Sequence, residues 1–120
     1  MEPFDVTQAV EILDAQQVNE LRDVLEDEFA AVIEAYLRDA ERKVISVVAA
    51  ARACDAGQLR EVAHSLKGSC RNVGARQLAE SCQQIESLAY EDQLDEVPGA
   101  LIVLQAALVA TRLAFLGPAY

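Results

Sequence analysis

Apolar side chains recur at steps of three and four residues along the chain, and no segment alternates convincingly between apolar and polar residues. Such steps place side chains on one face of an α-helix, whereas a half-buried strand requires a period of two. The longest run belongs to a predicted second helix and comprises Phe29, Ile33, Tyr36, Ala40, Val44, Val47 and Ala51. The pattern therefore predicts an all-α protein.

Polar residues indicate where the helices begin. An Asp, Ser or Thr followed three residues later by Glu or Gln is typical of a helix start, because the first side chain can accept a hydrogen bond from a free backbone N–H. Asp14 with Gln17 and Asp55 with Gln58 match this pattern and predict the starts of the first and third helices. Asp95 is the predicted cap of the fifth helix.

Glycine and proline indicate the remaining boundaries. Gly74 predicts a left-handed cap that ends the third helix, and the fourth helix is expected from about Ala75 to Tyr90. Pro98 is tolerable in the first turn of the fifth helix. Four long helices joined by short turns predict an antiparallel four-helix bundle, with an additional short N-terminal helix as a lid. We expect one domain over residues 1–120, with a core from roughly 15 to 116.

Charge is distributed unevenly in the sequence. The 120 residues carry a formal net charge of −10, which argues against nucleic acid as a partner. Residues 1–41 hold twelve carboxylates and two cations, whereas residues 52–76 hold five cations and two carboxylates. A positive patch on an acidic protein attracts an anionic site on a partner.

No feature of the sequence predicts a membrane segment or a metal site. The N-terminus has no basic region followed by an apolar run, and Val97–Ala110 is interrupted by Gln105 and predicted to be too short to cross a bilayer. We therefore expect a soluble, cytoplasmic and free-standing protein. Cys54, Cys70 and Cys82 have no metal-like spacing and are interpreted as small half-buried thiols in a reducing cytosol.

His64 is the only histidine of the chain. At about 100° per residue it lies roughly 160° from the apolar Leu66, so its side chain is predicted to point into solvent. The residues within about 60° of it on the helix surface are Arg60, Lys67, Gly68 and Arg71. Imidazole can carry a covalent group, cations can pair with a phosphoryl anion, and glycine leaves room for a partner. These residues predict a phosphorylatable histidine on a docking surface.

The turn at Gly74 brings a carboxylate into this prediction. In an antiparallel hairpin folded there, His64 lies level with Glu86 of the fourth helix. Glu86 could accept a hydrogen bond from the imidazole Nδ1–H and leave Nε2 as the nucleophile. The alternative interpretation of Glu86 is an ordinary solvated glutamate.

The segments around His64 also match a known family. The matching segments are Ala63-His64-Ser65-Leu66-Lys67-Gly68-Ser69, Asn72-Val73-Gly74-Ala75, Leu78-Ala79 and Cys82, with Asp27-Glu28-Phe29, Tyr36-Leu37 and Asp39-Ala40 in the second helix. Over roughly residues 15–115 the sequence resembles the histidine phosphotransfer (HPt) domain, in its stand-alone bacterial form. The fold and function of that family become expectations for this chain.

The resemblance implies a role for each residue of the motif. His64 would be the phosphoryl acceptor, Lys67 would stabilise the charge of the phosphoryl oxygens, and Glu86 occupies the position of a Gln or Glu that touches the imidazole. The residues expected to bind the partner are Arg60, Gly68, Ser69 and Arg71. Arg71 departs from the small residue that is common at its position, which predicts a particular partner preference.

The resemblance also implies the partners. His64 would accept a phosphoryl group from a receiver aspartate of a hybrid histidine kinase and pass it to the receiver domain of a response regulator. Mg²⁺ is expected on the receiver, and no cofactor is expected in this chain. No Gly-rich phosphate loop is visible in the sequence, so we expect a monomeric phosphocarrier and not an enzyme.

Two other functions and one structural question remain open at the level of sequence. A receiver-directed phosphatase would not need His64, and a helical adaptor would not need phosphorylation. A serine hydrolase is disfavoured, because Ser65 and Ser69 share the helix of the histidine. The fifth helix carries a second apolar stripe of Ile102, Val109, Leu113 and Leu116. Either the first helix and the N-terminal segment (Phe4, Val6, Val10 and Ile12) cover this stripe, or it is a dimer or partner surface.

Overall fold

Five α-helices contain most of the residues that the computed structural model describes, 12–117. They are α1 (Ala15–Leu25), α2 (Phe29–Arg52), α3 (Ala56–Val73), α4 (Arg76–Tyr90) and α5 (Val97–Leu116). Helices α2 to α5 form an antiparallel ring in which each packs against the next and α5 packs back on α2, while α1 lies on α2 and α3. The prediction of an all-α bundle with a short additional N-terminal helix is confirmed.

The bundle encloses a core made largely of aliphatic side chains. The largest fully buried side chains include Ile33, Leu37, Leu59, Leu66, Leu78, Ile85 and Leu104. Small buried residues such as Ala40, Ala63 and Ala79 line the same core and allow the helices to approach closely. Helix α3 packs most extensively on α4, so the two form a rigid hairpin at one side of the bundle.

The aspartates at the starts of α1 and α3 cap their helices as predicted. Asp14 Oδ1 accepts the backbone N–H of Gln17 at 3.1 Å, and Asp55 Oδ1 accepts that of Gln58 at 3.0 Å. The Gln17 side chain does not complete the capping box. It donates instead to the backbone carbonyl of Arg71 and so ties α1 to the end of α3.

The predicted cap of the fifth helix is wrong. Asp95 lies inside a short 3₁₀ turn, Leu94–Glu96, and α5 begins at Val97 without a side-chain cap. Pro98 stands in the first turn of α5, where its missing N–H costs no hydrogen bond. The 3₁₀ turn therefore continues directly into α5, and no side chain caps the start of this helix.

Gly74 ends α3 in the left-handed conformation, with φ of 81°. Its carbonyl accepts the backbone N–H of Asp14 at 2.8 Å. A Cβ atom at this position would lie 3.0 Å from Val18 Cγ2 and 3.4 Å from the Asp14 carbonyl oxygen. Gly74 therefore forms the α3–α4 turn and also binds the start of α1 through its carbonyl group.

The second apolar stripe of α5 remains exposed in the part of the chain that the structure describes. Ile102 and Val109 are 70% and 59% exposed, and Leu113 and Leu116 are nearly half exposed. Of the two interpretations left open above, cover by the first helix does not apply to α1, because this helix packs mainly on α2 and α3. Phe4, Val6 and Val10 lie outside the described residues.

The apolar segment at the end of the chain is longer than the sequence analysis predicted. By length and composition alone, Leu94–Leu116 could cross a membrane. Mostly buried core helices of soluble proteins pass the same test. Here only 22% of the apolar window is buried, and the inner face of α5 packs in the bundle through Leu104 and Ala107. Length and composition therefore do not exclude a membrane span here, and only the inner face of α5 packs as part of the bundle.

Replacement of Gly74 by alanine should destabilise the fold. The substitution forces a Cβ atom into the left-handed region and against Val18, so we expect a loss of about 1–3 kcal/mol. Gly99→Ala is the matched control, because a Cβ atom there meets nothing within 4 Å. Urea unfolding monitored by circular dichroism measures both. Equal midpoints for Gly74→Ala and the wild type would contradict this role.

Candidate functional site

His64 projects from the middle of α3 into solvent. Its side chain is 69% exposed, as the helical angle predicted, and it lines a surface cleft together with Arg60, Glu61 and Glu86. Helix α3 turns its apolar side, including the fully buried Leu66, toward the core. The imidazole is therefore held on a rigid helix and remains accessible to a large partner.

Glu86 fixes one nitrogen of the ring. His64 Nδ1 lies 2.9 Å from Glu86 Oε2, which is the contact predicted from the hairpin. Burial of the carboxyl group opposes its ionisation, but hydrogen bonds from Lys67 and His64 outweigh this effect and lower the pKa of Glu86. An ionised carboxylate can only accept, so Nδ1 is the donor and the lone pair of a neutral ring lies on Nε2.

Lys67 is placed differently from the sequence prediction. Its side chain is only 10% exposed, and Nζ lies 2.6 Å from Glu86 Oε1 as an ion pair. The same ammonium donates a hydrogen bond to Gln83 Oε1 at 2.9 Å. Lys67 thus lies against α4. It binds the Glu86 carboxylate, which in turn contacts the imidazole of His64. The helical angle of α3 alone did not show this, because α4 covers that edge of the helix.

The four predicted partner-binding residues are not all on the His64 surface. Arg60, Gly68 and Arg71 are exposed there, whereas Ser69 is half buried. Ser69 Oγ accepts a hydrogen bond from Lys43 Nζ of α2 at 3.0 Å, which places it at the α2–α3 contact. The structure therefore does not bring Ser69 to the site.

Two neighbours of the site escaped the sequence analysis. Gln83 binds Lys67, and the ring of Tyr90 lies under the Arg60 guanidinium with 5.1 Å between Cζ and the ring centroid. The hairpin rule that located Glu86 also pairs Lys67 with Gln83 and Arg60 with Tyr90. The hairpin pairing could therefore have predicted both contacts from the sequence, but it was used only to find the partner of His64.

The cysteines lie apart from this surface. Cys70 and Cys82 are fully buried and Cys54 is exposed, so none is half buried as predicted. The Tyr36 hydroxyl is 3.1 Å from Cys70 Sγ, and desolvation together with this neighbour raises the pKa of Tyr36. No group of three or more potential metal ligands occurs within residues 12–117.

The helical bundle thus presents one solvent-facing histidine, which is anchored at Nδ1 by a carboxylate of the neighbouring helix. The family model of the Hpt domain matches residues 18–114. The chain belongs to the Hpt domain family, whose members act as histidine phosphotransfer domains in two-component phosphorelays. This match confirms the family that the residues around His64 resemble.

Two solved structures are similar over most of the chain. Histidine-containing phosphotransfer protein B from Pseudomonas aeruginosa PAO1 is 31% identical with a TM-score of 0.81, covering 87% of this chain and 91% of its own. A rice protein described as a histidine-containing phosphotransfer protein is 22% identical with a TM-score of 0.79, covering 88% of this chain and 79% of its own, and shows the fold alone. No match was found among curated protein sequences.

Replacement of Glu86 by glutamine should make the contribution of the partly buried Lys67–Glu86 ion pair visible as a stability that depends on pH. The lowered pKa means that the ionised Glu86 stabilises the folded state above the ordinary value of 4.5, and that this stabilisation is lost as the pH falls through the lower folded value. We expect Glu86→Gln to cost about 1–3 kcal/mol at neutral pH and less in acid. Urea unfolding at several pH values measures the difference.

The matched control is Glu80→Gln, which removes an exposed carboxylate from the same helix. It should change the free energy of unfolding little at any of these pH values. A cost for Glu86→Gln that stays constant into acid would show that the charge of Glu86 is not what stabilises the pair.

Proposed function

We propose that His64 is the phosphoryl carrier of a multistep phosphorelay. It accepts the group from a receiver aspartate of a hybrid histidine kinase and passes it to a receiver aspartate of a response regulator. The observation that carries this proposal is the exposed imidazole whose Nδ1 is engaged by Glu86, which leaves Nε2 facing solvent. Membership in the Hpt domain family supports the kind of partner.

The transfer is an in-line displacement at phosphorus. The lone pair of His64 Nε2 forms the N–P bond while the P–O bond to the receiver aspartate breaks, and the aspartate leaves as a carboxylate. The ring becomes positively charged as the N–P bond forms, and Glu86 stabilises that charge through the Nδ1–H hydrogen bond. Transfer to the second receiver is the reverse of these steps. The task of the protein is therefore positioning and charge stabilisation.

Lys67 contributes mainly through Glu86. Its ammonium already has two partners on α4, Glu86 and Gln83, so its first effect is to orient the carboxylate. Its charge lies at one oxygen of the carboxylate whose other oxygen contacts the ring, and it offsets the negative charge of Glu86 at the site. Mg²⁺ bound to the receiver would stabilise most of the charge of the transferring phosphoryl group, as the resemblance implies for that partner.

The proposed role makes the protein a carrier without ATP chemistry of its own. The sequence contains no Gly-rich phosphate loop, so the phosphoryl group comes from a receiver. We expect the protein to work as a monomer in the cytoplasm. A receiver-directed phosphatase and a phosphorylation-independent adaptor are the competing functions, and both are independent of a nucleophilic His64.

His64→Gln should abolish phosphoryl acceptance and leave the fold intact. The side chain is mostly exposed, so the free energy of unfolding should change by less than about 1 kcal/mol. Incubation with a ³²P-labelled receiver, followed by gel autoradiography with acid treatment, measures acid-labile labelling. Label on His64→Gln would exclude His64 as the acceptor, and normal receiver dephosphorylation by this variant would favour the phosphatase.

Gly68→Gln should block the partner without harming the fold. A Cβ atom at Gly68 meets nothing within 4 Å, and glycine inside a helix costs about 0.5–1 kcal/mol relative to alanine. We therefore expect stability to hold or rise while transfer falls by about tenfold or more, since the longer side chain would obstruct a docked receiver. Melting temperature and transfer rate are measured on the same sample.

Gly99→Gln is the matched control, because Gly99 also has open space around it and lies on α5. It should transfer at the wild-type rate. Transfer by Gly68→Gln at the same rate would place the docking surface elsewhere, and a large loss of stability would mean that Gly68 serves internal packing.

A further inference from the structure

Arg60 and Tyr90 form an exposed pair beside His64. The Arg60 guanidinium lies over the Tyr90 ring at 5.1 Å, and the Tyr90 side chain is 73% exposed. Arg60 makes no salt bridge within residues 12–117, in contrast to Lys67 and Arg76. The pair thus presents a guanidinium without a salt bridge and a large aromatic ring on the same patch of surface, with Glu61, Glu86 and Glu91 lining the same clefts.

The position of the pair relates it to the reacting histidine. Arg60 lies one helical turn before His64 on α3, and Tyr90 lies one turn after Glu86 on α4. Arg60 lines the cleft that contains His64, and together with Tyr90 it lines the adjoining cleft that contains Glu86, Ser87 and Glu91. A partner that places an aspartate over Nε2 therefore also lies close to this pair.

The chemistry of the pair suits recognition better than catalysis. Stacking on the ring restrains the guanidinium while its N–H donors remain free in their plane, ready for a bidentate contact with a carboxylate. The exposed part of the ring offers apolar contact area with few rotatable bonds. Tyrosine and arginine are also the residues that most often dominate protein interfaces.

Arg71 provides an internal contrast. It too is exposed on this surface and makes no salt bridge within the described chain, but it lies two turns beyond His64 and has no aromatic ring beneath it. The two ends of the docking surface therefore differ, and one of them carries a restrained charge next to an apolar ring. Such asymmetry can orient a partner and distinguish between related partners.

We propose that the Arg60–Tyr90 pair is a specificity determinant for receiver domains. It binds a carboxylate and an adjacent apolar side chain on the receiver, and it acts on docking and not on phosphoryl transfer itself. The proposal rests on the proposed function of His64. It adds the chemistry by which this carrier selects one receiver over another.

The test separates docking from chemistry. Arg60→Ala, Tyr90→Ala and the double variant are labelled at His64 with the small phosphodonor phosphoramidate, which needs no receiver. The labelled proteins then transfer to each receiver domain of the source organism in single-turnover reactions at increasing receiver concentration. For the receiver preferred by the wild type we expect the half-saturating concentration to rise about tenfold, a change of about 1.4 kcal/mol, with the limiting rate within about twofold.

Further variants check that the effect belongs to the pair. The double variant should be little worse than either single variant, since each removes the same joint contact. Tyr90→Phe keeps the ring and should behave as the wild type, whereas Arg60→Lys loses the planar fork and should weaken docking. Arg52→Ala is the matched control, because Arg52 is an exposed arginine that lines a groove against α5.

The outcomes are distinguishable from failure of the proposed function. Wild-type protein that takes no label, or passes none to any receiver, would overturn the proposed function and this proposal with it. Normal wild-type transfer with unchanged half-saturation in the variants would overturn the pair alone. A reduced limiting rate at unchanged half-saturation would assign the pair to chemistry, and an equal loss for every receiver would make it a general contact without selectivity. Either result overturns the proposal.

Discussion

The contact between Lys67, Glu86 and His64 is the interaction on which the site depends. Lys67 and His64 lie on α3 and both contact Glu86 on α4. The orientation of the imidazole is therefore set by the neighbouring helix and not by the helix that carries it. The carboxylate is mostly shielded from water, which strengthens both of its contacts, and these contacts keep it ionised. A histidine that is mostly exposed thereby acquires a defined tautomer and a defined free nitrogen.

This contact in turn depends on the α3–α4 turn. Gly74 takes a conformation that other residues adopt with strain, and the turn fixes which residue of α4 stands opposite His64. A shift of one residue in α4 would carry Glu86 about 100° around its helix and out of reach of the ring. The glycine and the buried face of the hairpin therefore determine the chemistry of a residue more than two turns away.

The sequence predicted the fold well and the site in part. Helical periodicity located the five helices described between residues 12 and 117, and the caps at Asp14 and Asp55 were found from local chemistry alone. Predictions failed where a second helix intervenes, since Lys67 turned out to be buried and Ser69 to bind α2. The exposed stripe of α5 shows the same limit, because periodicity identifies an apolar face but not what lies against it.

The exposure of His64 has a kinetic consequence for the proposed relay. Only one ring nitrogen faces solvent, so the donor and the acceptor receiver must use the same nitrogen at different times. The carrier therefore exchanges groups by a ping-pong scheme and never forms a complex of all three proteins. In such a relay an empty donor receiver would compete with the phosphorylated one for the carrier, so the ratio of these two forms affects how fast a signal passes.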